Sequence, residues 1–164
     1  MNTPRQAAHT DPLPDSRPGS RNIPQAGRSK APIPPKRSLF ILCIDDDAVM
    51  LEVTRDCLSH YEHRVRVAPS GKFGVEVFHS AILKCEPYDA VITDLRMPDM
   101  DGYEVARMIK AESPHTPVIM MTGEDNLAVE DNTMAPAVDI VVGKPPRMRE
   151  LNDLLLRITL YHTN

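Results

Sequence analysis

The sequence predicts an α/β fold in which a parallel β-sheet is wrapped by helices on both faces. Short apolar runs alternate with helix-length amphipathic segments from residue 39 to residue 162. The first run is apolar almost throughout, as expected of a strand that is covered on both faces. A succession of strand–helix units implies right-handed crossovers, which place the strands parallel in one sheet.

Five short runs are the predicted strands, and their order along the chain defines the sheet. The second run alternates in polarity, which favours a place near the edge. The compact arrangement of five such units is flavodoxin-like, with the strand order 2-1-3-4-5 and a switch point between strands one and three. The predicted strands are residues 39–44, 64–68, 89–93, 117–121 and 138–142.

Apolar side chains spaced by three and four residues mark the helices between these strands. A weak, short helix is predicted at residues 127–134, where Pro136 limits its length. The predicted buried stripes are Met50, Val53, Thr54, Cys57 and Leu58 in the first helix, Phe73, Val77, Phe78 and Ala81 in residues 70–84, Val105, Ala106 and Ile109 in residues 102–111, and Met148, Leu151, Leu155 and Ile158 in residues 146–162.

The N-terminal segment differs in composition from the rest of the chain. Eight of the sixteen prolines lie in residues 1–38, together with seven basic and two acidic side chains and few large apolar ones. Such a segment cannot bury enough apolar surface to offset the entropy lost on ordering. We therefore expect a disordered, basic, Pro-rich tail over residues 1–37 and a folded domain over residues 38–164.

Composition also excludes several classes of protein. The three cysteines, Cys43, Cys57 and Cys85, are widely spaced and show no disulfide or metal-binding pattern, which favours reduced thiols in the cytoplasm. No apolar run reaches the roughly 18 residues of a membrane span, and the N-terminus lacks the apolar core of a signal peptide. We therefore expect a cytoplasmic protein without a membrane span.

Acidic side chains follow the third strand in the stretch VITDLRMPDMDG, residues 91–102. Turn chemistry accounts for Asp99, Asp101 and Gly102, because Asp favours turns and helix caps and Gly tolerates positive φ. Asp94 is different, since it lies at the carboxyl end of the strand. In open parallel sheets this is the edge where ligands bind.

Three other strands deliver polar side chains to the same edge. Asp45, Asp46 and Asp47 follow strand one, where Asp47 is the expected cap of the first helix, while Thr122 follows strand four and Lys144 follows strand five. Clustered carboxylates repel one another unless a cation compensates, and oxygen ligands with room for water suit Mg²⁺. A carboxylate held in this way can attack phosphorus, with the ammonium and the hydroxyl stabilising the phosphoryl oxygens.

These side chains lie in four stretches: ILCIDDD at residues 41–47, VITDLRMPDMDG at residues 91–102, VIMMTGED at residues 118–125 and VGKPP at residues 142–146. In combination they resemble the receiver domain of bacterial two-component response regulators, from about residue 38 to the C-terminus. The resemblance implies a phosphoacceptor switch rather than an enzyme. It also implies a sensor histidine kinase or a histidine phosphotransfer protein as the phosphoryl donor. Because the residues after the last predicted strand form only one helix, we expect no DNA-binding domain and an output by contact with another protein.

The resemblance assigns a role to each residue of the predicted site. Asp94 is the phosphoacceptor, and Thr122 and Lys144 contact the phosphoryl group. Mg²⁺ is held by Asp46 directly, by Asp45 mainly through water, by Asp94 and by the backbone carbonyl of Arg96. The Lys144–Pro145 peptide bond is expected to be cis.

The sequence departs from the family pattern at two places. Val141 stands three residues before Lys144, where the family usually has Tyr or Phe as a rotating reporter of phosphorylation. In addition, the Gly-Ala that usually precedes strand five is replaced by Pro136-Ala137-Val138. Both departures argue against the route that is usual in the family, in which phosphorylation changes the surface formed by strands four and five.

Two other functions compete with a phosphoacceptor switch as explanations of these residues. An aspartyl-phosphate phosphohydrolase on a similar fold would need a second Asp two residues after Asp94 as general acid, and Arg96 occupies that place. A flavin-binding module would need a Ser/Thr/Gly phosphate loop after strand one. The acids at residues 45–47 would repel a phosphate there unless a metal intervened.

Overall fold

The computed structural model describes residues 37–123 and 137–161, and within these ranges a five-stranded sheet is flanked by helices. Residues 1–36 of the tail predicted over residues 1–37, and the predicted short helix at residues 127–134, lie outside the described residues. The elements are β1 Phe40–Ile44, α1 Ala48–His60, β2 Arg64–Ala68, α2 Gly71–Leu83, β3 Ala90–Asp94, α3 Gly102–Glu112, β4 Val118–Thr122, β5 Ile140–Gly143 and α4 Met148–Tyr161.

The sheet confirms the predicted topology. All neighbouring strands are parallel, and their order is β2-β1-β3-β4-β5. The register aligns Ile44 of β1 with Thr93 of β3, so Asp94 extends one residue beyond that pair. On the other side of β3, Asp94 is opposite Met121. The carboxyl ends of β1 and β3 are therefore neighbours at the predicted switch point.

Alternating side chains of the central strands supply two hydrophobic layers, one on each face of the sheet. Ile41 and Cys43 of β1 pack with α1 and α4, whereas Leu42 and Ile44 pack with α2 and α3. β3 and β4 are buried along their whole length. Burial on both faces explains why the first, third and fourth runs are apolar without alternation.

The helix stripes were predicted correctly for α3 and α4 but only in part for α1 and α2. Val53 of α1 is 46% exposed, because the buried positions of this helix are Leu51, Thr54 and Leu58. Phe73 of α2 is 40% exposed, and Gly71 and Gly74 are buried instead. The reason is close approach, since a Cβ at Gly74 would lie 2.4 Å from Cδ1 of Ile44. The glycines let α2 lie directly on β1.

Side chains at the amino ends of the strands satisfy backbone groups of neighbouring strands. Oδ2 of Asp89 accepts a hydrogen bond from the N–H of Phe40, the first residue of β1, at 2.7 Å. Oδ2 of Asp139 accepts from the N–H of Val118, the first residue of β4, also at 2.7 Å. Each acid therefore caps a neighbouring strand whose first amide would otherwise lack a partner. No helix in the described part of the chain is long and apolar enough to span a membrane.

We expect Thr54→Val to stabilise the protein by about 1 kcal/mol, because Val has nearly the same shape and removes an unsatisfied hydroxyl. The Thr54 hydroxyl is buried and has no hydrogen-bond partner among the described residues. The matched control is Thr159→Val in α4, because the Thr159 hydroxyl is also buried but donates to the Leu155 carbonyl at 2.8 Å. Urea unfolding of both variants tests this. An equal loss of unfolding free energy in Thr54→Val and Thr159→Val would contradict the prediction.

Candidate functional site

The parallel strand order brings the predicted polar side chains to one edge of the sheet. Asp45 directly follows β1, Asp94 ends β3, Thr122 ends β4, and Lys144 directly follows β5. These four strands are consecutive neighbours in the sheet. The backbone aligns them further, because the N–H of Lys144 donates to the carbonyl of Thr122 at 2.7 Å.

Three carboxylates form a cluster at this edge. One oxygen from each of Asp45, Asp46 and Asp94 lies within 4.8 Å of the others. Asp45 and Asp94 are only 1% and 7% exposed, whereas Asp46 is open to solvent. A set of hard oxygen donors with one side accessible to water has the chemistry that Mg²⁺ requires. Arg96, the fourth predicted ligand, lies exposed in the loop after β3.

Lys144 joins two members of the acidic cluster. Its Nζ donates to Oδ2 of Asp45 at 2.6 Å and forms an ion pair with Oδ1 of Asp94 at 2.8 Å. The side chain is largely buried, so both contacts lie in an environment where charge pairs interact strongly. The peptide bond between Lys144 and Pro145 is cis, as predicted.

Burial and charge act in opposite directions on these groups. Burial raises the pKa of Asp45, and the neighbouring charge of Asp94 raises it further, against the hydrogen bonds from Lys144 and from the Asp47 amide. For Lys144, burial alone would lower the pKa, but the contacts with Asp45 and Asp94 outweigh it and raise the pKa overall. The ammonium therefore stays protonated and offsets part of the carboxylate repulsion.

Thr122 lies buried at the end of β4, next to the strand that carries Asp94. Its Oγ1 donates to the carbonyl of Gly123 at 3.4 Å, which is a long hydrogen bond. A hydroxyl held this weakly can turn to another acceptor at small cost. Asp47 is the N-cap of α1, as predicted, because its side chain accepts from the amides of Val49 and Met50.

Gly102 supports the site in a way that the sequence did not reveal. We predicted a turn residue that tolerates positive φ, and this was wrong, because no described glycine has a positive φ. A Cβ at Gly102 would instead lie 2.3 Å from the backbone oxygen of Asp94. Asp101 caps α3 through a capping box with Glu104, so the helix begins directly against β3. Because Gly102 has no side chain, the start of α3 can pack directly against the backbone of Asp94.

Cys43 lies beneath the cluster and gives a pH-dependent prediction. Burial, and then the charge of Asp45, raise the pKa of its thiol from 9.0 to about 12. Because the unfolded chain releases this proton first, the stabilising contribution is complete below pH 9 and is lost as the pH rises towards 12. Between pH 9 and 12, this thiol alone should therefore lower the free energy of unfolding of the wild type by about 1.4 kcal/mol per pH unit. Urea unfolding of Cys43→Ala should show a shallower decline, and equal slopes would refute the assignment.

Comparisons with known proteins agree with this geometry. The family model described as the response regulator receiver domain matches residues 41–156. The response regulator protein FleR of Pseudomonas aeruginosa is 34% identical over 122 residues, which are 73% of this chain and 24% of FleR. The chain spans less than half the length of the curated relatives it matches.

Solved structures share the fold. A response regulator receiver domain protein from Clostridium thermocellum superposes with a TM-score of 0.67 at 28% identity, covering 76% of this chain and 96% of the other. The response regulator TrrA of Thermotoga maritima, solved in complex with Mg²⁺ and BeF, gives a TM-score of 0.64 at 25% identity. The match covers 73% of this chain and 98% of TrrA.

Proposed function

Because this chain belongs to the response regulator receiver domain family, we propose that it takes part in a phosphorelay by accepting a phosphoryl group on Asp94. Receiver domains are phosphoacceptor switches that receive their phosphoryl group from histidine kinases or phosphotransfer proteins. The observation that carries the proposal is the convergence of three carboxylates, a hydroxyl and an ammonium at the ends of four adjacent strands.

Each residue of the site has a separate role in the proposed transfer. A carboxylate oxygen of Asp94 attacks phosphorus, a P–O bond forms, and the bond between phosphorus and the donor breaks. Lys144 contacts Oδ1 of Asp94, which leaves Oδ2 as the proposed nucleophile. The ammonium and the hydroxyl of Thr122 then stabilise the charge on the phosphoryl oxygens.

The acidic cluster suits Mg²⁺, which receiver domains bind through acidic residues. We propose that Asp45, Asp46, Asp94 and the carbonyl of Arg96 hold it here. When bound, Mg²⁺ would supply positive charge that offsets both the carboxylates and the incoming phosphoryl oxygens. Without that charge, the cluster repels an anionic donor, because the contacts of Lys144 within the described residues offset only Asp45 and Asp94 of the three acids.

Incubation with a small acyl-phosphate donor and Mg²⁺, followed by intact-mass measurement, tests the proposal. We expect one phosphoryl adduct that requires Mg²⁺, and we expect Asp46→Ala to reduce the yield at least about tenfold through loss of a metal ligand. Asp56→Ala, an exposed acid on α1, is the matched control. An adduct that forms equally well in a chelator would overturn the metal assignment.

The same experiment distinguishes a phosphoacceptor switch from the phosphohydrolase alternative. Such an enzyme would release inorganic phosphate from the donor with many turnovers, whereas a phosphoacceptor switch accumulates the adduct and turns over slowly. Arg96 disfavours the enzyme, because it stands where the family of phosphohydrolases has its acid. We propose at most weak self-catalysed phosphorylation and dephosphorylation.

Output by protein contact, the cytoplasmic location and the cognate kinase belong to the same proposal. Val141 on β5 is partly exposed, and it has no aromatic ring that could rotate towards Thr122 when Asp94 is phosphorylated. We therefore propose that the signal leaves through the loops nearest Asp94 rather than by rotation of an aromatic side chain. The proposed receiver domain runs from residue 38 to residue 164.

A further inference from the structure

A second pocket lies at the opposite end of the sheet from the acidic cluster. It has a volume of about 250 Å³. Its lining includes Phe40, the first residue of β1, and Tyr88, which precedes β3, so it opens at the amino ends of the strands. Asp45 and Asp94 lie at the carboxyl ends of these two strands. The pocket is therefore separate from the proposed phosphorylation site.

One wall of the pocket is apolar and held in place by the core. Phe40, Val77 and Ala81 line it, and Ala81 is buried. The Phe40 ring packs on the Tyr88 ring at 4.3 Å between centroids, and the guanidinium of Arg64 lies 4.4 Å from the Phe40 centroid. This stacking holds the rings of Phe40 and Tyr88 in fixed positions. A flat, apolar ligand group would meet a preformed surface.

The remaining wall is polar and carries an excess of positive charge. Arg66 and Lys84 face one acid, Glu86. Within residues 37–123 and 137–161, the side chains of Arg66 and Lys84 form no ion pair or hydrogen bond. Two cations that are not neutralised by protein carboxylates can therefore bind an anion.

Tyr88 provides a further polar group at this place. Most of the residue is buried, at 6% exposure, but its hydroxyl is open to the pocket and makes no hydrogen bond to any residue that the structure describes. Burial raises the pKa of Tyr88 and the positive charge of Arg66 opposes that rise, so the guanidinium lies near the phenol. A hydroxyl that reaches the pocket can donate a hydrogen bond to a ligand oxygen.

We propose that this pocket binds a small organic anion in which a carboxylate is attached to a flat apolar ring. The ring packs against Phe40, Val77 and Ala81, while the carboxylate accepts hydrogen bonds from Arg66, Lys84 and the Tyr88 hydroxyl. The volume lies below the ~300–1,000 Å³ of pockets that hold drug-sized ligands, which limits the ligand to about a single ring.

Amide chemical shifts of the full chain, titrated with benzoate, test the proposal. Benzamide and benzylammonium are the matched probes, because they keep the ring and replace the negative charge by a neutral or a positive group. We expect saturable shifts around residues 66 and 77–88 with benzoate, with a Kd of about 1 mM or tighter. Benzamide should bind about tenfold more weakly or not at all.

Three variants locate the binding. Arg66→Gln should weaken benzoate about tenfold, and Tyr88→Phe, which removes only the hydroxyl, by about threefold. Arg55→Gln on α1 is the control and should leave the affinity unchanged, since Arg55 does not line the pocket. Equal binding of benzoate and benzamide, preference for benzylammonium, or shifts centred elsewhere would each overturn the proposal. The test is independent of phosphorylation, because Asp94→Asn should bind benzoate like the wild type.

Discussion

Asp94→Asn is expected to abolish phosphorylation of the protein while the domain stays folded. An amide oxygen carries no full negative charge, so the variant loses the nucleophile and one anionic ligand of the proposed metal site. It also loses the charge that pairs with Lys144 at 2.8 Å. Loss of a nucleophile typically costs at least about 10³-fold in rate. Asparagine keeps the shape of aspartate, so the packing at the end of β3 is retained.

The measurement is intact mass after incubation with the acyl-phosphate donor and Mg²⁺, with circular dichroism as the check on folding. Asp99→Asn is the matched control, because Asp99 is an exposed acid in the same loop and Asn also tolerates its φ of 69°. The control should be phosphorylated like the wild type. A full phosphoryl adduct on Asp94→Asn would show that another residue is the acceptor.

Gly102→Ala is expected to lower the free energy of unfolding by about 3 kcal/mol, which is in the range of severe steric substitutions. The new Cβ would meet the carbonyl oxygen of Asp94 at 2.3 Å and the Cα of Leu95 at 3.1 Å. Both are backbone atoms, so no side-chain rotation relieves the contact, and either the loop or the end of β3 must move. Movement there displaces the Asp94 carboxylate from Lys144.

The second expected result of Gly102→Ala is slower phosphorylation of the folded fraction. A displacement of about 1 Å at a reacting group can cost about 100-fold in rate. Gly123→Ala is the control for stability, because a Cβ at Gly123 meets no atom of the described residues within 4 Å. We expect it to change stability by no more than about 0.5 kcal/mol. Similar unfolding midpoints for the two alanine variants would contradict the steric role of Gly102.

The positions of the proposed site residues could be predicted from the sequence, because they depend on where the strands end. An apolar run identifies a parallel strand, and the residue after the run lies at the ligand-binding edge. Asp94 follows such a run, and Lys144 follows the short β5. The order 2-1-3-4-5 then places these two side chains within 2.8 Å, although 49 residues lie between them in the chain.

Hydrogen bonds between distant polar groups could not be predicted in the same way. Nδ1 of His63 accepts from the N–H of Leu39 at 3.1 Å, and its Nε2 lies 2.9 Å from Oδ1 of Asn152. The imidazole therefore connects the start of β1 to α4. Neither contact leaves a periodic pattern, because His63 lies in the connection directly before β2 and Asn152 is a polar residue within the apolar stripe of α4.

Within the described residues, the sequence by itself determined which segments are strands and helices and which acids follow the strands, because periodicity and turn chemistry are local properties of the chain. Only the tertiary structure decided that Gly74 lies against Ile44, that Gly102 lies against the Asp94 carbonyl, and that Phe73 and Val53 turn towards solvent. Those outcomes depend on how closely neighbouring elements approach. Because protein interiors are packed as densely as organic crystals, a difference in side-chain volume smaller than one methyl group affects which side chains fit together. A pattern of apolar and polar residues carries no information at that scale.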